Sequence, residues 1–257
     1  MVELKVNGLV IREINLDSTD KMFTLLTDEF GRMNVVAKGV KNVRSHFLSS
    51  TQLFTYATFI LVRLKDYYYI NDCTVIENNY DIRLDFKKLA LSTYICDVLY
   101  EVSRENLKEE NVLKLGLNSL YAIAKDVKEL SIIKASFEFK IACEIGYRPD
   151  LIKCRNCGEE NPENSYIKVL DGFFLCEKCN SMIQNTTDIV DNNLQNIFYM
   201  SFSMLCALRY LAYCKISRFL SYNLEDSEQV IFCNFCEKYL LSHIEQDFGT
   251  LEFYKSL

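Results

Sequence analysis

Two Cys-x-x-Cys pairs constrain this chain more than any other feature. Cys154-Arg155-Asn156-Cys157 and Cys176-Glu177-Lys178-Cys179 are separated by 18 residues, a spacing at which four thiolates close around one tetrahedral zinc ion. Each pair makes a tight turn that aims two sulfurs at one point. The stretch between them, Glu159 to Leu175, holds Pro162 and Gly172 and is polar in its first half. It reads as a hairpin excursion without a core of its own. Cys fills all four ligand positions and no fifth ligand stands nearby, which predicts a closed, structural zinc rather than a catalytic one. The pattern names a staple, not a function.

The other seven cysteines (Cys73, Cys96, Cys143, Cys206, Cys214, Cys233 and Cys236) fall in apolar helical or strand-like stretches. Buried, reduced thiols of that kind suit a cytoplasmic protein. No apolar run reaches the length of a membrane-spanning helix, and Met1-Val2-Glu3-Leu4-Lys5 does not read as a signal peptide. A length of 257 residues leaves room for one large domain or two to three small ones.

The net charge of −6 argues against a uniformly basic surface. The charge is uneven, however. No Asp or Glu occurs between Glu29 and Asp66, while Arg32, Lys38, Lys41, Arg44, Arg63 and Lys65 all lie in that window. An acid-free cationic segment inside an acidic chain is a local electrostatic feature.

That segment belongs to a strand-rich region. Val6–Ile14, Met22–Thr27, Arg32–Ala37, Gln52–Leu64 and Tyr67–Ile76 read as five strands, with a turn at Asp28-Glu29-Phe30-Gly31 where Gly31 supplies positive φ. Five strands in about 75 residues suit a small Greek-key barrel. Between the third and fourth lies Lys38-Gly39-Val40-Lys41-Asn42-Val43-Arg44-Ser45, with three cations and no acid. A barrel of this size binds single strands with cations that track phosphates and aromatics that stack bases. Phe47, Tyr56 and the run Tyr67-Tyr68-Tyr69 supply rings, although alternation turns Tyr68 opposite to its neighbours, so that at least one of the three belongs to the core.

From Asp85 the period becomes helical. Leu91, Tyr94, Ile95, Val98, Leu99 and Val102 share one face; Asn111 then caps a second helix with Leu113, Leu117, Leu120, Tyr121 and Ala124 inward. A third helix carries Leu130, Ile133, Phe137, Ile141 and Ile145 and stops at Gly146 and Pro149. After the cysteine stretch, a helix is expected from Leu194 with Ile197, Phe198, Met204, Leu205, Leu208 and Leu211 on one face, and a last one from about Ser227 to Phe248. The two histidines, His46 and His243, stand apart, and neither a P-loop nor a dinucleotide fingerprint occurs. Cys233-Asn234-Phe235-Cys236 lies in a helical pattern and reads as core. The residues therefore disfavour an enzyme.

Several short patterns, in order, resemble the bacterial recombination mediator family RecO. They are Asp20-Lys21, Thr27, Gly31, Ala37-Lys38-Gly39 and Arg44-Ser45; then Ile145-Gly146-Tyr147-Arg148-Pro149-Asp150-Leu151 leading into Cys154-x-x-Cys157-Gly158; then Gly172-Phe173-Phe174-Leu175-Cys176-x-x-Cys179; and finally Tyr239-Leu240-x-x-His243. The resemblance implies an α+β protein: an N-terminal five-stranded OB-fold barrel over residues 1–80, then an α-helical domain over 81–257 with a four-cysteine zinc ribbon inserted at about 150–182. It implies a non-enzymatic role in homologous repair, with binding and annealing of single-stranded DNA and, together with RecR, loading of recombinase onto strands covered by single-strand-binding protein. Lys38, Lys41 and Arg44 are the cations that carry over most directly to DNA contact. The acidic, Phe-tipped tail of single-strand-binding protein would enter a groove of the helical domain, with Arg209 and Lys215 beside Leu208 and Leu211 as its rim. The rival expectation is a protein-interaction adaptor with little DNA affinity of its own.

Overall fold

In the computed structural model the residues described are 3–16, 19–42, 45, 47–186 and 196–257. The first five strands are β1 (Glu3–Asn15), β2 (Lys21–Thr27), β3 (Arg32–Ala37), β4 (Tyr56–Leu64) and β5 (Tyr67–Glu77). They close into a barrel in the order β1-β2-β3-β5-β4. Closure depends on β1, whose first half pairs antiparallel with β4 (Glu3↔Val62 to Leu9↔Tyr56) and whose second half pairs with β2 (Gly8↔Thr27 to Asn15↔Lys21), with a register shift between Val10 and Arg12. A bulge there bends the strand from one neighbour to the other. Among the barrel pairs only β3 and β5 run parallel, through Val35↔Tyr68 and Val36↔Tyr69. Alternate residues Val6, Val10, Phe23, Leu25, Val35 and Phe59 point inward and fill the barrel, with Tyr68 packed against them. The five expected strands form, except that β4 begins at Tyr56 rather than Gln52; of the three neighbouring tyrosines it is Tyr68 that packs against the core.

Helices follow: α1 (Phe86–Val102), α2 (Glu110–Ala124) and α3 (Leu130–Glu144). The Asp85 carboxylate caps α1 by accepting from the Lys88 N–H at 2.9 Å. Two details of α2 differ from the expectation. Asn111 sits inside the helix, whose N-cap position is Glu109 with no side-chain cap, and Tyr121 faces solvent. Leu113, Leu120 and Ala124 are buried as expected, together with Val112, Leu115, Gly116, Ser119 and Ile123, and Gly116 lets α1 approach so closely that a Cβ there would meet Leu99 Cδ1 at 2.6 Å.

The remaining elements are β6 (Asn164–Lys168), β7 (Phe173–Cys176), α4 (Glu177–Thr186), β8 (Ile197–Ser201), α5 (Phe202–Tyr213), α6 (Asp226–Ile244) and α7 (Gly249–Lys255). The helix expected from Leu194 begins only at Phe202, as α5, with Met204, Leu205, Leu208 and Leu211 buried as expected; Leu194 lies outside the described residues, and Ile197 and Phe198 form β8, which pairs with β6 to make the three-stranded sheet β7-β6-β8. The last helix also ends early, at Glu245 in the left-handed conformation (φ 52°).

The chain forms two compact units, Met1–Leu130 with Phe248–Leu257, and Ser131–Asp247. The sequence boundary near residue 80 marks where strands give way to helices. Compactness instead keeps α1, α2 and α7 with the barrel. In the first unit, Phe248 packs edge-on against Tyr94 and Phe253 against Phe86, both at 5.6 Å, and the Thr250 hydroxyl donates to Asp97 at 2.8 Å. In the second, α3 is buried on every side from Ile132 to Cys143, so its charges are paired. Lys134 Nζ reaches Glu138 at 2.9 Å and Glu237 at 2.6 Å, and Lys140 Nζ reaches Glu144 at 2.9 Å and the Cys214 carbonyl at 2.9 Å. Burial opposes the Lys134 charge, but the two carboxylates outweigh it and hold the ammonium above its ordinary pKa.

Gly31 shows how tightly the barrel is seated in its unit. Its φ is +59°, and a Cβ there would meet the Arg104 carbonyl oxygen at 2.1 Å and that of Leu107 at 2.6 Å. The same segment is laced to the turn by Arg32 N–H to Arg104 O, Asn106 N–H to Phe30 O and Glu109 N–H to Asp28 O, each at 2.9 Å. Gly31→Ala is expected to cost about 2–4 kcal/mol, since it adds left-handed strain to a clash with rigid backbone. Thermal unfolding of the purified variant checks this, and an unchanged melting temperature would contradict it.

Candidate metal centre and nucleic-acid interface

The four predicted sulfurs converge. Sγ atoms of Cys154, Cys157, Cys176 and Cys179 all lie within 4.8 Å of one another, and Cys157 to Cys176 is 3.6 Å. A tetrahedron with metal–sulfur bonds of about 2.3 Å has sulfur–sulfur edges of about 3.8 Å, so the cluster fits one ion of that kind. Local geometry builds each half. Cys154–Cys157 turns back on itself through Gly158 N–H to Cys154 O (3.0 Å) and Cys154 N–H to Glu159 O (2.7 Å), with Gly158 at φ +79°. Cys176 ends β7 and Cys179 lies in the first turn of α4. Three of the four are buried, while Cys157 is exposed.

Backbone donors prepare one thiolate. Burial resists ionisation of Cys154, but N–H groups of Cys157, Cys176 and Asn156 outweigh it and bring the thiol down to about 6. Burial pushes Cys176 and Cys179 the other way. A divalent cation removes that conflict by pairing with every sulfur at once.

Arg209 of α5 ties this cluster to the helices. Its guanidinium donates to the Leu151 carbonyl (2.6 Å), the Ile152 carbonyl (3.0 Å), Asn161 Oδ1 (3.2 Å) and the Glu160 carbonyl, and it lies 5.6 Å from the Phe174 ring centroid. Those acceptors bracket Cys154–Cys157 on both sides. The reading of Arg209 as the rim of an open groove is therefore corrected: its donors are taken, and Leu208 and Leu211 beside it are fully buried. Lys215 is exposed.

The cations of the barrel divide in the structure. Lys38–Asn42 forms a turn closed by Asn42 N–H to Gly39 O at 3.1 Å, with Gly39 at φ +64° and Val40 buried in the barrel core. Lys38 is exposed and its Nζ stands 4.9 Å from the Tyr69 ring centroid. Arg63 stands near the end of β4 and Lys65 in the β4–β5 turn, with the Arg63 guanidinium 5.8 Å from the Tyr68 ring centroid. Exposed Tyr67 and Leu64 pair across the same turn. Arg32 is placed differently. Its Nη1 donates to the Tyr100 carbonyl at 2.6 Å, in the last turn of α1, and its guanidinium stacks on the Tyr100 ring at 4.1 Å, where Arg12 also lies at 4.6 Å. A cation there answers the negative end of the helix. Arg44 and His46 lie outside the described residues.

One contact of this region escaped sequence reasoning. The cationic turn has no acid of its own, but Asp20, at the entry to β2, reaches across to it: Asp20 Oδ1 accepts from the Gly39 N–H at 2.8 Å. In the sequence Asp20 is marked only as part of the Asp20-Lys21 pattern, close before a strand. Nothing local pairs it with Gly39.

Comparison with known proteins finds family matches along most of the chain. Residues 1–79 match the family model for the recombination protein O N terminal, and residues 83–252 that for the recombination protein O C terminal. The chain is 31% identical to DNA repair protein RecO of Acetivibrio thermocellus over 255 residues, covering 99% of this chain and 97% of that protein. It is 27% identical to DNA repair protein RecO of Caldanaerobacter subterraneus, covering 97% and 96%, and 24% identical to that of Alkaliphilus metalliredigens, covering 99% of each.

If the sulfur cluster binds zinc as part of folding, Cys154→Ser and Cys176→Ser are expected to lose the metal and melt at lower temperature. Arg209→Ala, which keeps all four sulfurs, should keep the metal but surrender it faster to a chromophoric chelator. Elemental analysis and chelator kinetics read both effects. Metal-free wild-type protein, with serine variants that melt like it, would exclude the zinc site.

Proposed function

This chain belongs to the RecO family, and on that premise we propose that it is a DNA repair and recombination mediator that binds single-stranded DNA and anneals complementary strands. In this reading it has no catalytic step. It works with RecR to load recombinase onto strands covered by single-strand-binding protein, whose acidic tail it engages, in the cytoplasm at the nucleoid. Among the described residues no helix is long and apolar enough to cross a membrane.

The observation that carries the DNA-binding half is the cationic turn mounted on a closed five-stranded barrel beside exposed aromatics. Lys38 and Lys41 rise from the end of β3. Tyr69 pairs with Val36 across the β3–β5 seam, so the ring under Lys38 sits on the outer wall. Tyr67, 54% exposed, is two residues away on the same side of β5. Ammonium groups reach phosphates, and neighbouring rings offer faces to bases of any identity. Arg63 and Lys65 extend the positive charge along the β4–β5 turn. Arg32, spent on the end of α1, contributes to the fold more than to a ligand. Arg44 continues the cationic run in sequence.

In this assignment the zinc is structural. Four thiolates leave a tetrahedral ion no open position, and the cluster joins β7, α4 and the turn held by Arg209. The ion would supply a fixed crosslink between segments that share little core.

The test is a titration of a fluorescent oligothymidylate at several salt concentrations, with and without RecR. Binding should fall steeply with salt. Lys38→Glu with Lys41→Glu should abolish it at moderate salt while zinc content and melting temperature stay near wild type. Neutral replacements should lower the salt slope by about 0.7 for each phosphate that is no longer neutralised. Affinity that ignores both salt and these substitutions would favour the adaptor.

A further inference from the structure

A carboxylate beside a phosphate-binding turn is an electrostatic cost, so its presence calls for a geometric reason. Asp20 Oδ1 accepts the Gly39 N–H at 2.8 Å and the Thr19 hydroxyl at 3.0 Å. One residue away, the Thr19 carbonyl accepts the Lys41 N–H at 3.1 Å. The pair Thr19–Asp20 thus grips the backbone of the turn at two points, one after Lys38 and one at Lys41. From below, Val40 is buried in the barrel core. From the far side, Lys38 leans over Tyr69. The turn is held on three sides, and the side chain that accepts from its backbone at Gly39 is an anion.

The anion persists under ordinary conditions. The Gly39 N–H first, then the Thr19 hydroxyl and the charges of Lys38 and Lys41, hold the Asp20 carboxyl below its usual range. Its negative charge therefore subtracts from the field that would attract a phosphate, at the same place where its oxygen fixes the turn.

From this geometry we infer that Asp20 is the positioning residue of the DNA-binding turn, fixing the backbone that presents Lys38 and Lys41 and weakening the attraction of those two cations as it does so. This rests on the single-stranded-DNA reading above. The two roles of the side chain are separable. An acceptor without charge should keep the presentation and relieve the repulsion. Removing both should relieve the repulsion and loosen the turn. A charge on a longer arm should keep the repulsion and misplace the acceptor.

The experiment compares Asp20→Asn, Asp20→Ala and Asp20→Glu in the full chain, each titrated with oligothymidylate across a salt series. Asp20→Asn is expected to bind more tightly than wild type at low salt. Asp20→Ala, with the same charge as Asp20→Asn, is expected to bind about fivefold more weakly than it, the scale of one well-placed hydrogen bond. Asp20→Glu, with the wild-type charge, is expected to fall below wild type. Amide exchange at Gly39 gives a second reading that needs no DNA: slow in wild type and Asp20→Asn, fast in Asp20→Ala. Equal affinities for Asp20→Asn and Asp20→Ala, or for Asp20→Glu and wild type, would overturn the inference, as would equal exchange at Gly39. Should Asp20→Ala fail to fold, the Asp20→Glu comparison and the exchange reading in Asp20→Asn still decide it. A wild-type protein that ignores DNA, with Gly39 protected as described, would sink the functional reading and leave the clasp standing.

Discussion

The first unit depends on one strand being shared by two neighbours. β1 spends its first half on β4 and its second half on β2, and the bulge between Val10 and Arg12 makes the change of partner possible. Without it the five strands would form an open sheet with two unpaired edges, which attract other chains. Closure on that side leaves a weak seam opposite. There β3 and β5 meet in parallel through only two residue pairs. The cationic turn begins two residues beyond that seam, and Tyr69 is part of it. The part of the barrel with the fewest ladder bonds is thus the part that the DNA-binding proposal uses. It is also where Asp20 and Val40 supply restraint that the ladder does not.

Much of this was legible in the chain because the signals are local. Alternation fixes strands wherever one face is buried, which is why Arg32–Ala37 emerged with its bounds intact and Tyr68 was set opposite to Tyr67 and Tyr69. The cysteine spacing carries its own geometry. The misreadings fall where a local pattern serves two structures equally. Ile197-Phe198 is apolar enough for a helix or for a strand, and only β6 lying alongside decides for the strand. The stop of α6 at Glu245 has no glycine to announce it. Tyr121 is apolar on a helical wheel yet exposed, because Gly116 rather than Tyr121 lies at the closest approach to α1.

Charged residues were the hardest to place, for a physical reason. A cation's position in sequence says nothing about which acceptors the fold brings to it. Arg32 found a helix terminus, Arg209 found four oxygen acceptors around a cysteine turn, and Lys134 found two carboxylates inside a helix with no exposed face. The acid-free window from Arg32 to Lys65 remains a fact of the chain. In space it is not acid-free, since Asp20 reaches into it from the start of β2.

The return of the chain to its first unit has a consequence for how the folding of the two units is linked. Because Phe248–Leu257 completes a unit begun by the first 130 residues, the second unit is, topologically, a long loop whose ends are both anchored elsewhere. Docking α7 against Tyr94 and Phe86 means closing that loop. When the loop is itself folded, its ends are already held at a fixed separation and closure costs little entropy. When it is unfolded, the cost grows with its length, slowly but without any bond in the first unit being broken. Unfolding of the second unit would therefore loosen the last helix of the first through connectivity alone.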